Sequence, residues 1–393
     1  VIILLTLFFI MRIDKLNFSN IRNHKKTELY FSKHINVIYG LNGAGKTSIL
    51  EAISLASLSK SFLSNPENSI INFNEDLLYS KLEVIRDRNT NFYVEVKKEK
   101  GSRKIISSSF MDNMRPKDLI GSIPIIILSP DYKEITAGSP ENRRRFINTT
   151  ISQISNNYLN DLYSYRRVLK QRNNLLSKMK RDRNIDIKEL DVWTNKLIEY
   201  GGKIILKRAK FIQDYEPYYL KNYAKVSDSK EEVEIIYSPY GFENFEYKKL
   251  DENTVLKRLI ELRNEKKFSE LKRYTTLFGP QKDELDLKIN GAPVREAASQ
   301  GQHKTVLISL KLAEFDYMKE ILNETPVVLL DDIFSELDSR RTELVIKIIL
   351  KNLAQAFITI TEDEKIKNIM KPSDDCYYFH VEEGKVNRID EEI

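Results

Sequence analysis

The stretch Gly40-Leu41-Asn42-Gly43-Ala44-Gly45-Lys46-Thr47 matches the phosphate-loop pattern G-x-x-x-x-G-K-[ST] at every fixed position. The apolar run Ile35-Asn36-Val37-Ile38-Tyr39 before it is typical of a short buried strand, and residues 48–61 after it have the apolar spacing of a helix. Glycines let the backbone wrap around a phosphate, and the N–H groups at a helix N-terminus supply positive potential. The pattern therefore predicts a site for a nucleoside triphosphate.

Two side chains of this stretch have predicted chemical roles. Lys46 would reach the β- and γ-phosphates, and the Thr47 hydroxyl would be a ligand of Mg²⁺. The alternative, a glycine-rich turn with a chance lysine, does not account for the strand–loop–helix setting. The predicted nucleotide-binding residues of the loop are Gly40, Leu41, Asn42, Gly43, Ala44, Gly45, Lys46, Thr47 and Ser48.

The composition of the 393 residues is that of a globular protein with a charged surface: 41% are hydrophobic and 31% are charged. The length is enough for two to three domains. The net charge of +6 is modest, so a polyanionic partner has to be inferred from a local patch. The single cysteine, Cys376, excludes an internal disulfide and a cysteine zinc site, which fits a reducing cytoplasm, and we predict a cytoplasmic protein.

Residues 1–10 are entirely apolar apart from Thr6. Ten residues are too few to cross a bilayer, which needs about twenty, and the stretch lacks the basic region and cleavage site of a secretory signal. We expect Met11 to be the start of the native protein and residues 1–10 to be upstream sequence. A short membrane-seeking tag is the alternative.

A change of period indicates an inserted helical arm. Apolar residues between about 146 and 179, and again between about 186 and 215, recur at steps of three, four or seven, which predicts two antiparallel helices of coiled-coil character. Gly201-Gly202 is a possible kink, and Pro217 is expected to end the arm. Residues 141–210 contain 17 Lys and Arg against 7 Asp and Glu, a local charge of +10, so the rest of the chain carries −4.

The run Pro326-Val327-Val328-Leu329-Leu330-Asp331-Asp332 is an apolar strand that ends in two carboxylates, as a Walker B element requires. We assign Asp331 to Mg²⁺ and Asp332 to the attacking water. A surface turn after a core strand would explain the same letters, but not their presence in a chain with a phosphate loop.

Upstream of that strand, Ala298-Ser299-Gln300-Gly301-Gln302-His303-Lys304 lies at the predicted start of a helix over about 302–322. Serine and glycine at a helix N-terminus can make a second phosphate-binding end. On this stretch alone, a plain N-cap is the simpler interpretation of Ser299.

Together these motifs resemble an ABC-type ATPase head of the SMC-like group, and specifically the RecF family of bacterial recombination-repair proteins. The resemblance covers almost all of residues 11–393. It rests on Asn20-Ile21-Arg22-Asn23-His24, the phosphate loop with Leu50-Glu51-Ala52-Ile53, Ser129-Pro130-Asp131, Gly138-Ser139-Pro140, Arg143-Arg144-Arg145-Phe146, Tyr165-Arg166, Arg172-Asn173-Asn174-Leu175-Leu176, Gly279-Pro280, Ser299-Gln300-Gly301-Gln302 and Leu329-Leu330-Asp331-Asp332-Ile333-Phe334-Ser335-Glu336-Leu337-Asp338.

The resemblance implies an α/β fold: an ABC-type ATPase head with an inserted, mostly helical arm. It implies a homodimer that sandwiches ATP, in which Ser299, Gly301 and Gln302 complete the partner's site and Ser299 joins Lys46 and Asp332 in catalysis. Arg22 would contact the nucleotide of its own protomer. The implied D-loop across the same interface is Glu336-Leu337-Asp338.

Several positions depart from the family pattern. The segment Gln281-Lys282-Asp283-Glu284 replaces a His-Arg pair and two aspartates, Lys304 replaces an arginine, and Asp332 stands where many ABC enzymes have glutamate. Thr359-Ile360-Thr361 occupies the place of a switch histidine, and no Q-loop glutamine is found around 121–131. We therefore expect slow hydrolysis.

The predicted segments are residues 1–10, an ATPase-head part over 11–145, an arm over 146–270 and a second head part over 271–393. The resemblance implies ATP-gated binding to single-stranded, duplex or gapped DNA, with recombination-mediator partners that load recombinase. A transporter ATPase subunit, a long-range SMC tether and an overcoming-lysogenization-type nuclease are alternatives. A transporter subunit normally lacks a long basic helical arm, and a long-range tether has an arm much longer than the about seventy residues expected here. The nuclease would need a cluster of acidic metal ligands C-terminal to the head, and the C-terminal sequence does not supply it. The predicted DNA-binding residues are Arg143, Arg144, Arg145, Arg166, Arg167, Lys170 and Arg172.

Overall fold

The computed structural model describes residues 9–63, 67–86, 90–130, 133–180, 187–227, 231–335, 337–352, 354–361, 373 and 375–389. The chain divides into two compact units, the first formed by Val1–Tyr132 with Glu314–Ile393 and the second by Lys133–Ala313. The sequence places its boundaries at 145/146 and 270/271 instead. The assignment of the segments to an ATPase head and an arm stays a prediction.

Strands and helices are interspersed along the chain. The strands are β1 (Phe9–Ile21), β2 (His24–Tyr30), β3 (Ile35–Tyr39), β4 (Leu77–Arg86), β5 (Thr90–Glu99), β6 (Ile105–Ser108), β7 (Ile125–Leu128), β8 (Val233–Ser238), β9 (Glu284–Ile289), β10 (Ala292–Pro293), β11 (Glu324–Thr325), β12 (Val327–Asp331), β13 (Ala356–Ile360), β14 (Cys376–Glu382) and β15 (Lys385–Ile389). The helices are α1 (Lys46–Leu58), α2 (Pro116–Leu119), α3 (Lys133–Ala137), α4 (Pro140–Ile154), α5 (Asn156–Met179), α6 (Ile187–Val226), α7 (Glu252–Arg273), α8 (Val294–Ala297), α9 (Gln300–Leu322) and α10 (Ser339–Lys351).

The first unit contains two sheets with α1 between them. One has the order β11-β1-β4-β5-β6, with β2 also paired to β1, and the other has the order β15-β14-β3-β13-β12-β7. In the second sheet β14, β3, β13, β12 and β7 run parallel. Helix α1 contacts strands of both sheets and is buried on nearly every side. The α/β fold predicted for the ATPase head is confirmed.

The second unit combines α3–α8, most of α9 and a small antiparallel sheet of order β10-β9-β8. A hairpin joins β9 to β10, and Asn290 and Gly291 both have positive φ, as a type I′ turn between these strands requires. Residues 181–186, between the two predicted arm helices, lie outside the described part of the chain. None of the helices in the described ranges combines the length and the apolar character that a bilayer span needs.

The arm helices differ from their predicted bounds in two places. The first predicted helix, over about 146–179, consists of two helices, α4 and α5. Ser155 ends α4 and caps α5 by accepting a hydrogen bond from the Tyr158 N–H. Helix α6 continues through Pro217 to Val226, so the predicted end of the arm is wrong. Gly201 and Gly202 lie inside α6, where a Cβ would come within 3.3 Å of Pro280 and 3.1 Å of Leu256. The glycines therefore allow close packing.

The leader prediction is tested only at its end. Phe9 and Ile10 belong to β1 and pair with Glu324 and Thr325 of β11. Residues 1–8 lie outside the described part of the chain. The predicted start at Met11 stays a prediction.

Candidate functional site

The phosphate loop and the Walker B strand meet at the carboxyl edge of the parallel sheet. β3 and β12 both pair with β13, which lies between them. Tyr39 at the end of β3 is opposite Ile360, and Asp331 at the end of β12 is opposite Thr359. The register brings two motifs that are 284 residues apart into contact, because the Thr47 hydroxyl donates a 2.7 Å hydrogen bond to Asp331 Oδ1.

The backbone of the loop needs glycine at two positions in particular. Gly40 has φ +151°, and a Cβ there would lie 2.2 Å from the carbonyl oxygen of Val381 in β14. Gly45 has φ +112°, and a Cβ there would lie 2.5 Å from Asn23 Oδ1 and 2.6 Å from His24 Nε2. Any side chain at either position would displace a neighbour as well as strain the backbone.

Lys46, the first residue of α1, is buried with its ammonium inside the loop. Its Nζ donates to the carbonyl oxygens of Gly40 at 2.6 Å and Leu41 at 2.9 Å. Burial lowers the pKa of Lys46, and the nearby carboxylates of Asp332 and Asp331 oppose that shift. An anion bound in the loop would likewise favour the charged ammonium.

Asp331 is enclosed at the end of β12, with 5% of its surface exposed. Burial raises its pKa, and hydrogen bonds from Thr47 and Thr359 oppose the shift. A buried carboxylate beside a hydroxyl supplies the hard oxygen donors that Mg²⁺ prefers, so both residues fit the predicted metal role. A cation there would offset the burial of the negative charge.

Asp332 begins the turn after the Walker B strand with φ +45°, a left-handed conformation that is uncommon for a residue with a side chain. Its backbone N–H donates to Thr359 Oγ1 at 2.9 Å, and that hydroxyl in turn donates to Asp331 Oδ1 at 2.8 Å. Thr359 thus contacts both acids, whereas the sequence marked it only as part of the segment in the place of a switch histidine. A lone hydroxyl in the otherwise apolar run of β13 is the signal that could have found it.

Arg22 makes a structural ion pair. Its guanidinium donates two 2.9 Å hydrogen bonds to the carboxylate of Glu51, which is buried in α1, and a third at 2.8 Å to the Ser69 carbonyl. About a quarter of the side chain is exposed. Its predicted contact with nucleotide stays a prediction, and any such contact would have to share the guanidinium with Glu51.

Residues 299–302 form a capping box at the start of α9. Gln302 N–H donates to Ser299 Oγ at 3.2 Å, and Ser299 N–H donates to Gln302 Oε1 at 2.7 Å. Ser299 and Gly301 are exposed, and a Cβ on Gly301 would meet only the Ser299 hydroxyl, at 3.9 Å. The predicted N-cap is therefore present, and its small exposed residues leave room for a phosphate.

In the predicted D-loop, Asp338 caps α10 by accepting from the Arg341 N–H at 2.9 Å. Leu337 is buried, and Glu336 lies outside the described residues. Asp131 of the Ser-Pro-Asp motif also lies outside them.

Two of the predicted DNA-binding arginines are buried in the second unit, so their prediction is corrected. Arg172 is 2% exposed and makes two hydrogen bonds to Glu270, at 3.1 and 2.7 Å. Arg143 is 5% exposed and makes two to Glu284, at 2.7 and 2.9 Å. Both guanidiniums hold the fold of this unit together and present no charge to a polyanion.

The other predicted DNA-binding residues are more accessible. Arg144 is half-buried, where burial lowers its pKa and its guanidinium donates to the Asp283 carbonyl at 2.8 Å, whereas Arg145 is exposed. Arg166, Arg167 and Lys170 are exposed on α5.

Comparisons with known proteins give matches that include the residues of this site. The RecF/RecN/SMC N terminal domain model matches residues 9–386. The chain is 39% identical over 355 residues to the DNA replication and repair protein RecF of Chloroherpeton thalassium, covering 90% of this chain and 95% of the relative. It is 34% identical over 376 residues to that of Acetivibrio thermocellus, covering 95% and 99%.

Solved structures agree. A structure described as the recombination mediator protein RecF-ATP in the RecFOR pathway matches with a TM-score of 0.88 and 30% identity, over 96% of this chain and 98% of that one. An Smc head domain from Pyrococcus furiosus matches with a TM-score of 0.55 and 15% identity over 97% and 96%, which shows a shared fold. The site geometry, the family model and these relatives agree, and the chain belongs to the RecF family.

Proposed function

We propose that this protein is an ATP-dependent DNA-binding protein of replication and recombinational repair that hydrolyses ATP slowly in a nucleotide-sandwich homodimer. The observation that carries the proposal is the contact between the Thr47 hydroxyl and Asp331, because it joins a phosphate loop to an acid that can hold Mg²⁺. The relatives' name, DNA replication and repair protein, and the RecF-ATP structure support the same function.

In this proposal ATP lies on the loop formed by Gly40–Ser48, with its terminal phosphates near Lys46. The ammonium would exchange the Gly40 and Leu41 carbonyls for phosphate oxygens, a stronger, charge-assisted contact. Thr47 and Asp331 would hold Mg²⁺, which neutralises charge on the phosphates. Asp332 would orient the attacking water.

The partner protomer would supply Ser299, Gly301 and Gln302. The exposed helix start offers N–H groups and a hydroxyl to a γ-phosphate, so ATP would favour the dimer and hydrolysis would release it. Asp332→Asn tests this cycle: we expect nucleotide binding to persist and hydrolysis to fall about 10²- to 10⁴-fold, the usual cost of losing a general base. The measurements are ATP turnover and the size of the protein with ATP; turnover at the wild-type rate would refute the assignment of Asp332.

The proposed DNA surface is an exposed stripe on α5. Tyr163, Arg166, Arg167, Lys170 and Asn174 are all exposed and fall within about 100° of the helix circumference. Arg166, Arg167 and Lys170 have no acidic partner among the described residues. Cations on one face contact phosphates without regard to sequence, and an exposed tyrosine can stack on an unpaired base. Single-stranded or gapped DNA would use both features, and recombination mediators would then load recombinase beside it.

A salt titration of DNA affinity with ATP present tests the stripe. Replacing Arg166, Arg167 and Lys170 by glutamine should flatten the slope of log affinity against log salt by roughly two to three, because each duplex phosphate that a cation neutralises adds about 0.9 to that slope.

A matched control removes the same charge from α6. Lys203, Lys207 and Lys210 are each ion-paired with an acid, at 2.7, 2.7 and 2.8 Å, so their glutamine variant should keep most of the slope. Equal slopes for the α5 variant and the wild type would place the DNA elsewhere. ATP binding without DNA should be the same in all three proteins.

A further inference from the structure

A single buried hydroxyl connects the two acids of the Walker B element. Thr359, the fourth residue of β13, is 1% exposed. Its Oγ1 donates to Asp331 Oδ1 at 2.8 Å and accepts from the backbone N–H of Asp332 at 2.9 Å. Asp331 Oδ1 also accepts the 2.7 Å hydrogen bond from Thr47, so two hydroxyls converge on one carboxylate oxygen.

The direction of these bonds follows from what each group can do. A hydroxyl has one proton to donate and lone pairs to accept with, an ionised carboxylate only accepts, and a backbone N–H only donates. The Thr359 proton must therefore point at Asp331, and its lone pair must face Asp332. Neither bond can be reversed without losing the other.

The hydrogen bond from the Asp332 N–H is made at a residue with an uncommon backbone conformation. Side chains alternate across a strand, so a straight continuation of β12 would turn Asp332 away from the face of Asp331. Instead the chain takes φ +45° at Asp332 and leaves the strand. The hydrogen bond from this N–H to β13 ties the turn to the sheet at the residue where the direction changes.

We infer that Thr359 is a positioning residue of the ATP site: its hydroxyl orients the Asp331 carboxylate toward Mg²⁺ and holds the turn that directs Asp332. The inference rests on the proposed function. It assigns Thr359 no contact with nucleotide, so its loss should affect metal use and turnover, while metal-free nucleotide binding by the loop persists.

The test compares Thr359→Val, which keeps the shape of the side chain and removes the hydroxyl, with Thr359→Ser, which keeps the hydroxyl. Outer partners of metal ligands typically matter about 10- to 100-fold in metal affinity or activity. We expect Thr359→Val to lower kcat about 10- to 100-fold with KM little changed. It should also raise by about tenfold the Mg²⁺ concentration at which binding of a fluorescent ATP analogue is half-maximal. Affinity for the analogue in EDTA should not change.

Thr359→Ser should restore both properties to within about threefold of the wild type, because the hydroxyl makes the same two bonds. Thr150→Val is the matched control, since it removes another fully buried threonine hydroxyl, which donates within α4 to the Phe146 carbonyl at 3.1 Å. It should behave like the wild type in Mg²⁺ dependence.

The outcomes separate the two claims. Wild-type protein that neither binds nor hydrolyses ATP overturns the proposed function and this inference with it. Wild-type activity together with an unchanged kcat and Mg²⁺ dependence in Thr359→Val overturns only the inference. Equal loss of kcat and EDTA affinity in the valine and serine variants would mean general damage to the site and would also overturn it.

Discussion

Replacing Arg172 by glutamine should lower the free energy of unfolding of the second unit. It should have no direct effect on DNA contacts. The guanidinium donates to Thr194 at 2.9 Å and Thr276 at 2.8 Å as well as twice to Glu270. Glu270 is itself 2% exposed. Glutamine would leave its carboxylate buried without the guanidinium, and among the described residues the Leu277 N–H, at 2.7 Å, is the donor that remains.

The expected magnitude follows from that geometry. Removing one member of a buried ion pair costs about 3–5 kcal/mol, because the other charge remains uncompensated. With a urea dependence of about 2 kcal/mol per molar, the unfolding midpoint should fall by about 1.5–2.5 M. Arg172→Met combined with Glu270→Met should recover much of this, since no buried charge is left unpaired.

The chain contains a natural probe for the measurement. Trp193 is its only tryptophan, and it packs on the cluster of Leu175, Leu176 and Leu190 next to Thr194. Its fluorescence in a urea titration therefore reports on this part of the second unit. Arg167→Gln, an exposed arginine of the same helix, should leave the midpoint unchanged. The reasoning is refuted if Arg172→Gln keeps the wild-type midpoint and loses DNA affinity.

Three further changes test the nucleotide site. Lys46→Met should abolish tight ATP binding, because the phosphates lose the one compact cation of the loop; calorimetry measures it. Ser299→Arg should bind ATP but fail to form the ATP-dependent dimer in size-exclusion chromatography, since a bulky cation would occupy the exposed helix start. His24 is fully buried and its pKa is lowered by burial, against the opposing effect of its Gly45 hydrogen bond. The neutral side chain therefore stabilises the fold at pH values above the unfolded-state pKa of about 6.5. As the pH decreases below that value, the free energy of unfolding should decrease by up to about 1.4 kcal/mol per pH unit. His24→Gln should flatten this dependence in denaturation followed by circular dichroism.

Each of these has an outcome that contradicts it. Unchanged ATP affinity in Lys46→Met would refute the loop assignment. Normal dimerisation of Ser299→Arg would refute the shared site, and Ser299→Thr, which keeps the capping hydroxyl, is its control. A mixture of Ser299→Arg and Lys46→Met chains should regain some ATP hydrolysis, because a mixed dimer retains one intact composite site. An identical pH dependence in His24→Gln would mean that other groups control acid unfolding.

Local patterns predicted the elements of the first unit that carry the nucleotide site. The strand–loop–helix of β3 and α1 and the Walker B strand β12 are short apolar runs with a distinctive polar end, and such runs need little information from elsewhere in the chain. The charge count over residues 141–210 was less informative, because a count does not show which charged side chains face solvent and which are buried. Arg172 and Arg143 have acidic partners 98 and 141 residues away, which no local pattern reveals.

Pro217 shows that a local pattern can also predict a helix end incorrectly. Proline removes a backbone hydrogen bond and costs about 3 kcal/mol inside a helix, which favours an end there. Helix α6 nevertheless continues, and Tyr215, Tyr219 and Tyr223 around the proline are all buried. Burying an aromatic side chain stabilises by roughly 1.5–3 kcal/mol, so the tertiary packing outweighs the local preference.

Carbonyl groups of the phosphate loop accept hydrogen bonds from donors that come from other parts of the first unit. The carbonyl of Gly45 accepts from His24 Nε2 at 3.0 Å. The Ala44 carbonyl accepts from the Asn23 side chain at 2.8 Å and from the Gly384 N–H at 2.9 Å.

Because these carbonyls already have donors, their negative ends are neutralised, and the N–H groups of the loop can dominate the potential that a phosphate meets. Asn23 and His24 come from the turn between β1 and β2, and Gly384 comes from the hairpin between β14 and β15. The turn between β1 and β2 and the hairpin between β14 and β15 therefore both help to set the carbonyl orientations of the loop, which the eight-residue motif alone does not determine.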